Sequence, residues 1–257
     1  MRACPPLLAE ADGCAKLPRL GGMARPDGVV IVSERYWAFA GTDGRIREGI
    51  MPRTGLGRIP LVRGLAKLVS ALSPVFRRSG VARRRERLVL GLLLIAPFGF
   101  VFLPAALGWA AWGLVTAALV AWLFRGQTLR LHGAEHRAIA AVEERSLART
   151  WADEARPSRF SARCGTNFAA LVVPVTVLAD RAWPFAPTFY ASALLTVLSL
   201  GFTMELWRAV QSSRRRLARL FLLPGLGLQR LTTREPSVEE TRVALAAVES
   251  VLRRELG

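Results

Sequence analysis

Leu88–Phe124 reads LVLGLLLIAPFGFVFLPAALGWAAWGLVTAALVAWLF, 37 residues without a formal charge between Arg87 and Arg125. A run of about 18 apolar residues already predicts a membrane span, and soluble domains do not carry twice that length. As one straight helix the stretch would reach about 55 Å, against a hydrocarbon core of about 30 Å. Pro104 and Gly108 sit near its midpoint, where the chain can reverse, so the reading is two spans, about 88–104 and 106–124. A second apolar block opens at Cys164, meets Asp180 and Arg181, and continues from Ala182 to Met204. Its first half is short and contains Pro174, which leaves a tilted or re-entrant span open.

The predicted fold class is therefore a mainly α-helical integral membrane protein. It has two transmembrane hairpins (about four spans), a small cytoplasmic β-element and cytoplasmic amphipathic helices. Composition agrees. Of 257 residues 52% are hydrophobic, and the mean hydropathy of +0.29 excludes intrinsic disorder. Three cysteines are too few for a disulfide-stapled secreted domain.

The net charge is +17, and all 36 basic residues except Lys16 and Lys67 are arginine. Their placement is the informative part. Residues 1–87 carry 17 basic and 7 acidic side chains, residues 125–163 carry 8 and 5, and residues 205–257 carry 10 and 6. Only Arg181 and Asp180 remain. A basic excess on membrane-flanking segments marks the cytoplasmic side. The chain is thus read as a multi-pass membrane protein with both termini and the 125–163 loop cytoplasmic. Its expected partners are membrane lipids, with anionic headgroups meeting the arginine clusters, and a cytoplasmic protein, rather than nucleic acid.

Outward from the spans, seven segments follow. Residues 1–20 read as a flexible tail with reduced thiols, since Cys4 and Cys14 lack metal-ligand spacing. Residues 21–58 hold the β-element: GVVIVS and YWAFA are rich in β-branched and aromatic residues, and the Thr42-Asp43-Gly44 turn hands YWAFA on to a third strand around Arg45–Ile50. In 59–87, Leu61, Leu65, Leu68, Leu72, Val75 and Phe76 recur at helical spacing beside Arg63, Lys67, Arg77 and Arg78. That pattern fits a helix on the membrane surface or one packed on the β-element. The hairpins are 88–124 and 164–204, separated by 125–163. Residues 205–257 form a basic region, turn-rich before a last helix whose capping box is Ser237 and Glu240.

Both histidines of the chain fall in one pentapeptide, HGAEH, at His132 and His136. On a helix they lie about 40° apart and one turn along, so both can ligate one metal. The string fits H-x-x-E-H, in which the intervening carboxylate, here Glu135, is the general base. A solvated polar helix face is the alternative. Cys164 is the third ligand candidate, because it opens the third span on the side where His132 follows the second. Its alternative is a buried apolar thiol. A His-His-Cys set suits Zn²⁺, or another divalent transition metal, and leaves a fourth position open. Glu143 shares the histidine face but rises about 10 Å beyond His136, which makes it an outlying or partner-binding carboxylate.

At these residues the chain resembles the YqhQ-like family of bacterial multi-pass membrane proteins. The resemblance rests on HGAEH, on RCGT (Arg163–Thr166) and on PGLGLQRLTTREP (Pro224–Pro236). GGMARPDG (Gly21–Gly28) and IPLVRG (Ile59–Gly64) extend it toward the N-terminus. The resemblance implies a metal-dependent enzyme without naming a reaction. It also draws Asp27, Ser161, Arg163 and Thr166 toward the site as supporting or partner-binding residues. Two departures stand out: Ser161 replaces a histidine of the family pattern, and Met23 and Asp27 replace its glutamine and glutamate.

Function is accordingly read as a zinc-dependent hydrolase at the cytoplasmic membrane face, with Glu135 as catalytic base. The alternative is a metal-stabilised scaffold that binds a partner. A transporter is disfavoured, because the spans hold no charged residue away from their ends.

Overall fold

The computed structural model describes all residues except 1–2, 53–54, 56–58, 78–79, 126, 186–187, 214–217 and 219. Arg78 and the triplet Arg214–Arg216, part of the expected headgroup-binding clusters, therefore lie outside the described residues. The chain forms two compact units: Met1–Arg53 with Phe124–Cys164 and Leu226–Gly257, and Thr54–Leu123 with Gly165–Gly225.

The first unit is built on a four-stranded antiparallel meander: β1 (Gly21–Arg25), β2 (Gly28–Val32), β3 (Tyr36–Gly41) and β4 (Ile46–Ile50). Branched and aromatic side chains favour the pleated backbone of β2 and β3, and Gly44 supplies the left-handed φ of +84° that the β3–β4 turn requires. One sheet face presents Val29, Ile31, Ala38 and Ala40, all buried. Helix α5 (Thr128–Glu144) packs along β1 and β2. The C-terminal helix, here α10 (Val238–Leu256), packs along β2 and β3 and against α5. Its Leu245, Val248 and Leu252 are fully buried, so truncating either leucine to alanine would cost about 2–5 kcal/mol. The capping box forms: the Glu240 N–H donates to Ser237 Oγ at 3.2 Å, and the Ser237 N–H donates to Glu240 Oε2 at 2.8 Å.

Two expectations for this unit need correction. The segment read as a flexible tail folds: α1 (Pro6–Gly13) buries Leu8 and Ala11 completely in the common core. Its Asp12 carboxylate accepts the Leu147 and Ala148 N–H groups at 2.9 and 3.0 Å, at the start of α6 (Leu147–Trp151). A carboxylate there satisfies orphan donors and meets the positive end of the helix. The β-element also has one strand more than its composition suggested. Gly21–Arg25 has little strand propensity but pairs along its length with β2.

The second unit is helical where the sequence is apolar. Helix α3 (Arg84–Gly99) ends in a short 3₁₀ turn, Phe100–Phe102, and α4 (Ala105–Leu123) starts directly after Pro104. Helix α7 (Gly165–Ala182) continues through Pro174 and packs on α8 (Phe189–Ser212). Helix α2 (Val62–Phe76) also lies on α8. The reason is local: Gly64 admits Met204, whose Cβ lies 2.5 Å from where a glycine-to-alanine Cβ would stand, and Arg63 pairs with Glu205. Pro224–Gly227, read as turns, begins α9 (Leu223–Thr232) instead, since proline is tolerated in a first helical turn. Tyr190–Ser212 is long and apolar enough to cross a membrane; Ala106–Ala121 is apolar but shorter.

Candidate metal centre

Helix α5 and the residue just before α7 bring His132, His136 and Cys164 together within the first unit, and one ligand atom from each lies within 4.8 Å of the others. The imidazole centroids are 4.5 Å apart, as one helical turn dictates. Each ring is oriented by a main-chain carbonyl. His132 Nδ1 lies 2.8 Å from Thr232 O, and His136 Nδ1 lies 2.7 Å from Arg159 O. A carbonyl can only accept, so both Nδ1 atoms carry the proton and both Nε2 atoms keep a lone pair. His132 Nε2 faces Cys164 Sγ at 3.3 Å. His136 Nε2 is buried with no hydrogen-bond partner. In a tetrahedral zinc site donors stand about 3.3–3.6 Å apart. A dry, orphaned imidazole nitrogen beside a second imidazole and a thiol fits a transition metal, and the carbonyl-held Nδ1–H groups are the usual support of metal-bound histidines.

The surrounding shell comes from QRLTTREP, residues 229–236. Gln229 is fully buried, and its amide clasps the backbone of Ser161: Oε1 accepts the Ser161 N–H at 2.9 Å and Nε2 donates to Ser161 O at 2.7 Å. Thr232 O orients His132, and Thr233 O accepts from the Arg159 guanidinium at 3.1 Å. Glu235 pairs with Arg137, whose Nε also donates to Pro157 O. Gly133 lets this segment approach α5, since a Cβ there would meet Arg234 O at 2.2 Å. Clasped from both sides, residues 157–164 present Arg159 O and Cys164 to the histidines.

Glu135 occupies a different side of α5. It is 5% exposed and abuts β1, where Gly22 has no Cβ to obstruct it and the Ala24 N–H donates to it. Burial pushes its carboxyl up to about 7, opposed by the nearby His132 and by the Ala24 hydrogen bond. Glu143 lies outside the centre and pairs with Arg163. Burial, and then the charge of Arg19, push the Arg163 guanidinium down from its ordinary value. Ser161 Oγ accepts the Arg163 N–H at 3.2 Å. Asp27 is engaged with Arg25 Nε at 3.1 Å at the β1–β2 turn, and Thr166 lies in the first turn of α7. Of the sequence candidates, only His132, His136 and Cys164 converge with their ligand atoms.

No solved structure matches this chain. It is 27% identical over 300 residues to the uncharacterized protein YqhQ of Bacillus subtilis (strain 168), an alignment that covers 93% of this chain and 93% of that protein. A family model described as "Protein of unknown function (DUF1385)" matches residues 125–254, just over half of the chain, from the approach to α5 to the end of α10. That match contains both histidines, Cys164 and the QRLTTREP shell, and the chain belongs to the DUF1385 family.

Proposed function

We propose that the protein is a zinc-dependent hydrolase held at the cytoplasmic face of the bacterial inner membrane. One observation carries the reading: two imidazoles are held by carbonyls at Nδ1, His132 Nε2 meets Cys164 Sγ at 3.3 Å, and the buried His136 Nε2 has no hydrogen-bond partner, with one ligand atom of each residue within 4.8 Å of the others. His132 Nε2, His136 Nε2 and Cys164 Sγ are the three protein ligands, and a three-ligand site that keeps a position open is the catalytic arrangement. Bound zinc supplies Lewis acidity, which makes water nucleophilic near neutral pH. Glu135, with its carboxyl near 7, is the proton acceptor of this reading. Membrane attachment is supported by the apolar second unit, where Phe102, Trp109, Leu114 and Tyr190 are each more than 70% exposed to whatever surrounds them.

A specific feature favours a second reading, a metal-stabilised scaffold. The Glu135 carboxylate already accepts the Ala24 N–H and packs on Gly22, as a structural group would. Metal analysis of the detergent-purified chain tests both. Close to one equivalent of zinc is expected, lost in the His132→Ala/His136→Ala double variant. Stoichiometric metal retained by that variant overturns the assignment. In the cobalt-substituted protein, an absorption spectrum that shifts on adding azide identifies an exchangeable position and the hydrolase. An unresponsive spectrum identifies the closed scaffold.

A further inference from the structure

The histidine face of α5 continues past the metal centre. At 100° per residue Ile139 and Glu143 fall within about 20° of His132 around the axis, and Ile139 is one further turn along from His136. Over that stretch the segment 17–20 crosses the helix and leaves a cavity of about 150 Å³, walled by Leu20, Ile139, Glu143, Arg19, Arg145 and Arg163. Three guanidinium groups and one carboxylate leave the wall with a net charge of +2. Arg145 spends its hydrogen bonds on the neutral carbonyls of Ala11 and Ala15. Arg163 meets Glu143, and Arg19 adds a further cation to the same wall. Cations that repel one another against an apolar wall cost free energy, which a bound dianion relieves. Guanidinium forks match the oxygens of a phosphate in geometry. Arg163 also directly precedes Cys164 in the chain, so the cavity adjoins the metal centre along both α5 and the ligand-bearing segment.

We propose that this cavity binds a phosphate group. Its position beside the His-His-Cys set makes that group part of the substrate, a soluble phosphate ester or a phosphate-bearing lipid headgroup. The substrate assignment rests on the metal reading above; the phosphate site does not.

Binding of radiolabelled inorganic phosphate to the full-length protein in detergent, by equilibrium dialysis at physiological ionic strength, tests the proposal. Saturable binding is expected, weakened about tenfold or more in Arg19→Gln/Arg163→Gln. A control that removes equal charge from exposed arginines outside the cavity, Arg85→Gln/Arg149→Gln, should bind within about twofold of the parent. Arg19 is exposed, so Arg19→Gln alone serves if the double variant fails to fold. Glycerol phosphate and phosphatidic acid in mixed micelles are the competing arms. Displacement by the first assigns a soluble ester, and displacement by the second alone assigns a lipid headgroup. Unchanged binding in the cavity variants, or equal loss in cavity and control variants, overturns the site. Zinc is measured in the same samples: phosphate bound by a chain without zinc removes the metal reading and leaves this one intact.

Discussion

Glu135 is the residue on which catalysis and structure diverge. In Glu135→Gln the amide oxygen still accepts the Ala24 N–H, and the burial cost that raises the carboxyl to about 7 disappears. The variant should therefore keep its zinc and melt at the parental temperature or slightly above it. As the general base, its loss should lower activity by about 10²–10⁴-fold. A complementation assay in a strain lacking the protein reads this without a known substrate. Full complementation by Glu135→Gln, with none by His132→Ala, would remove the hydrolase and leave the scaffold. At this scale the convergence of the three candidate ligands was legible because their chemistry is written in side chains: two histidines one turn apart, and a cysteine at the head of an apolar block. Their supports were not. Thr232 and Arg159 orient the rings through carbonyl oxygens, which every residue possesses, so nothing in their letters reveals the role.

Among the elements, the junction of α9 with the 157–164 segment holds the centre's geometry. Gln229→Ala would remove both side-chain hydrogen bonds to the Ser161 backbone and open a void where a fully buried side chain stood. Each lost hydrogen bond costs about 0.5–1.5 kcal/mol. The variant should melt several degrees lower and release zinc to a chelator faster, because Cys164 lies three residues beyond the clasp. Parental melting and metal retention would show that the clasp is dispensable. The clasp also explains why Ser161 is acceptable where the family pattern has histidine: what Gln229 reads is backbone. Strong local signals located α4, α8 and α10, through apolar length in the first two and the Ser237–Glu240 box in the third. Weak ones hid α1 and β1. Leu8, Ala11 and the strand Gly21–Arg25 acquire their structure from the core they cover, and periodicity within so few residues cannot announce that.

For the whole molecule, discontinuity is the governing property. Residues 1–53, 124–164 and 226–257 share one core, so they occupy one side of any membrane the chain enters. Each intervening stretch, 54–123 and 165–225, must then return to the side it left. Under the proposed topology that side is the cytoplasm, as the arginine distribution also requires. Cysteines placed at the exposed positions Glu144 and Glu239, in a Cys4→Ser/Cys14→Ser background, should resist an impermeant thiol reagent applied to intact cells and react after permeabilisation. Labelling from outside at either position would overturn the topology. Charge and hydropathy point to this topology; the shared core was not legible, since its partners are separated by whole apolar blocks.

The same discontinuity orders events in time. His132 leaves the ribosome 100 residues ahead of Thr232, the carbonyl that sets its ring, and β2 and β3 wait longer still for α10. Until residues 226–257 follow, His132 lacks the Thr232 carbonyl and the 157–164 segment lacks the Gln229 clasp. Only the last 32 or so residues close the cage. Assembly of the centre is thus a late event of synthesis, and the C-terminal segment acts as its latch.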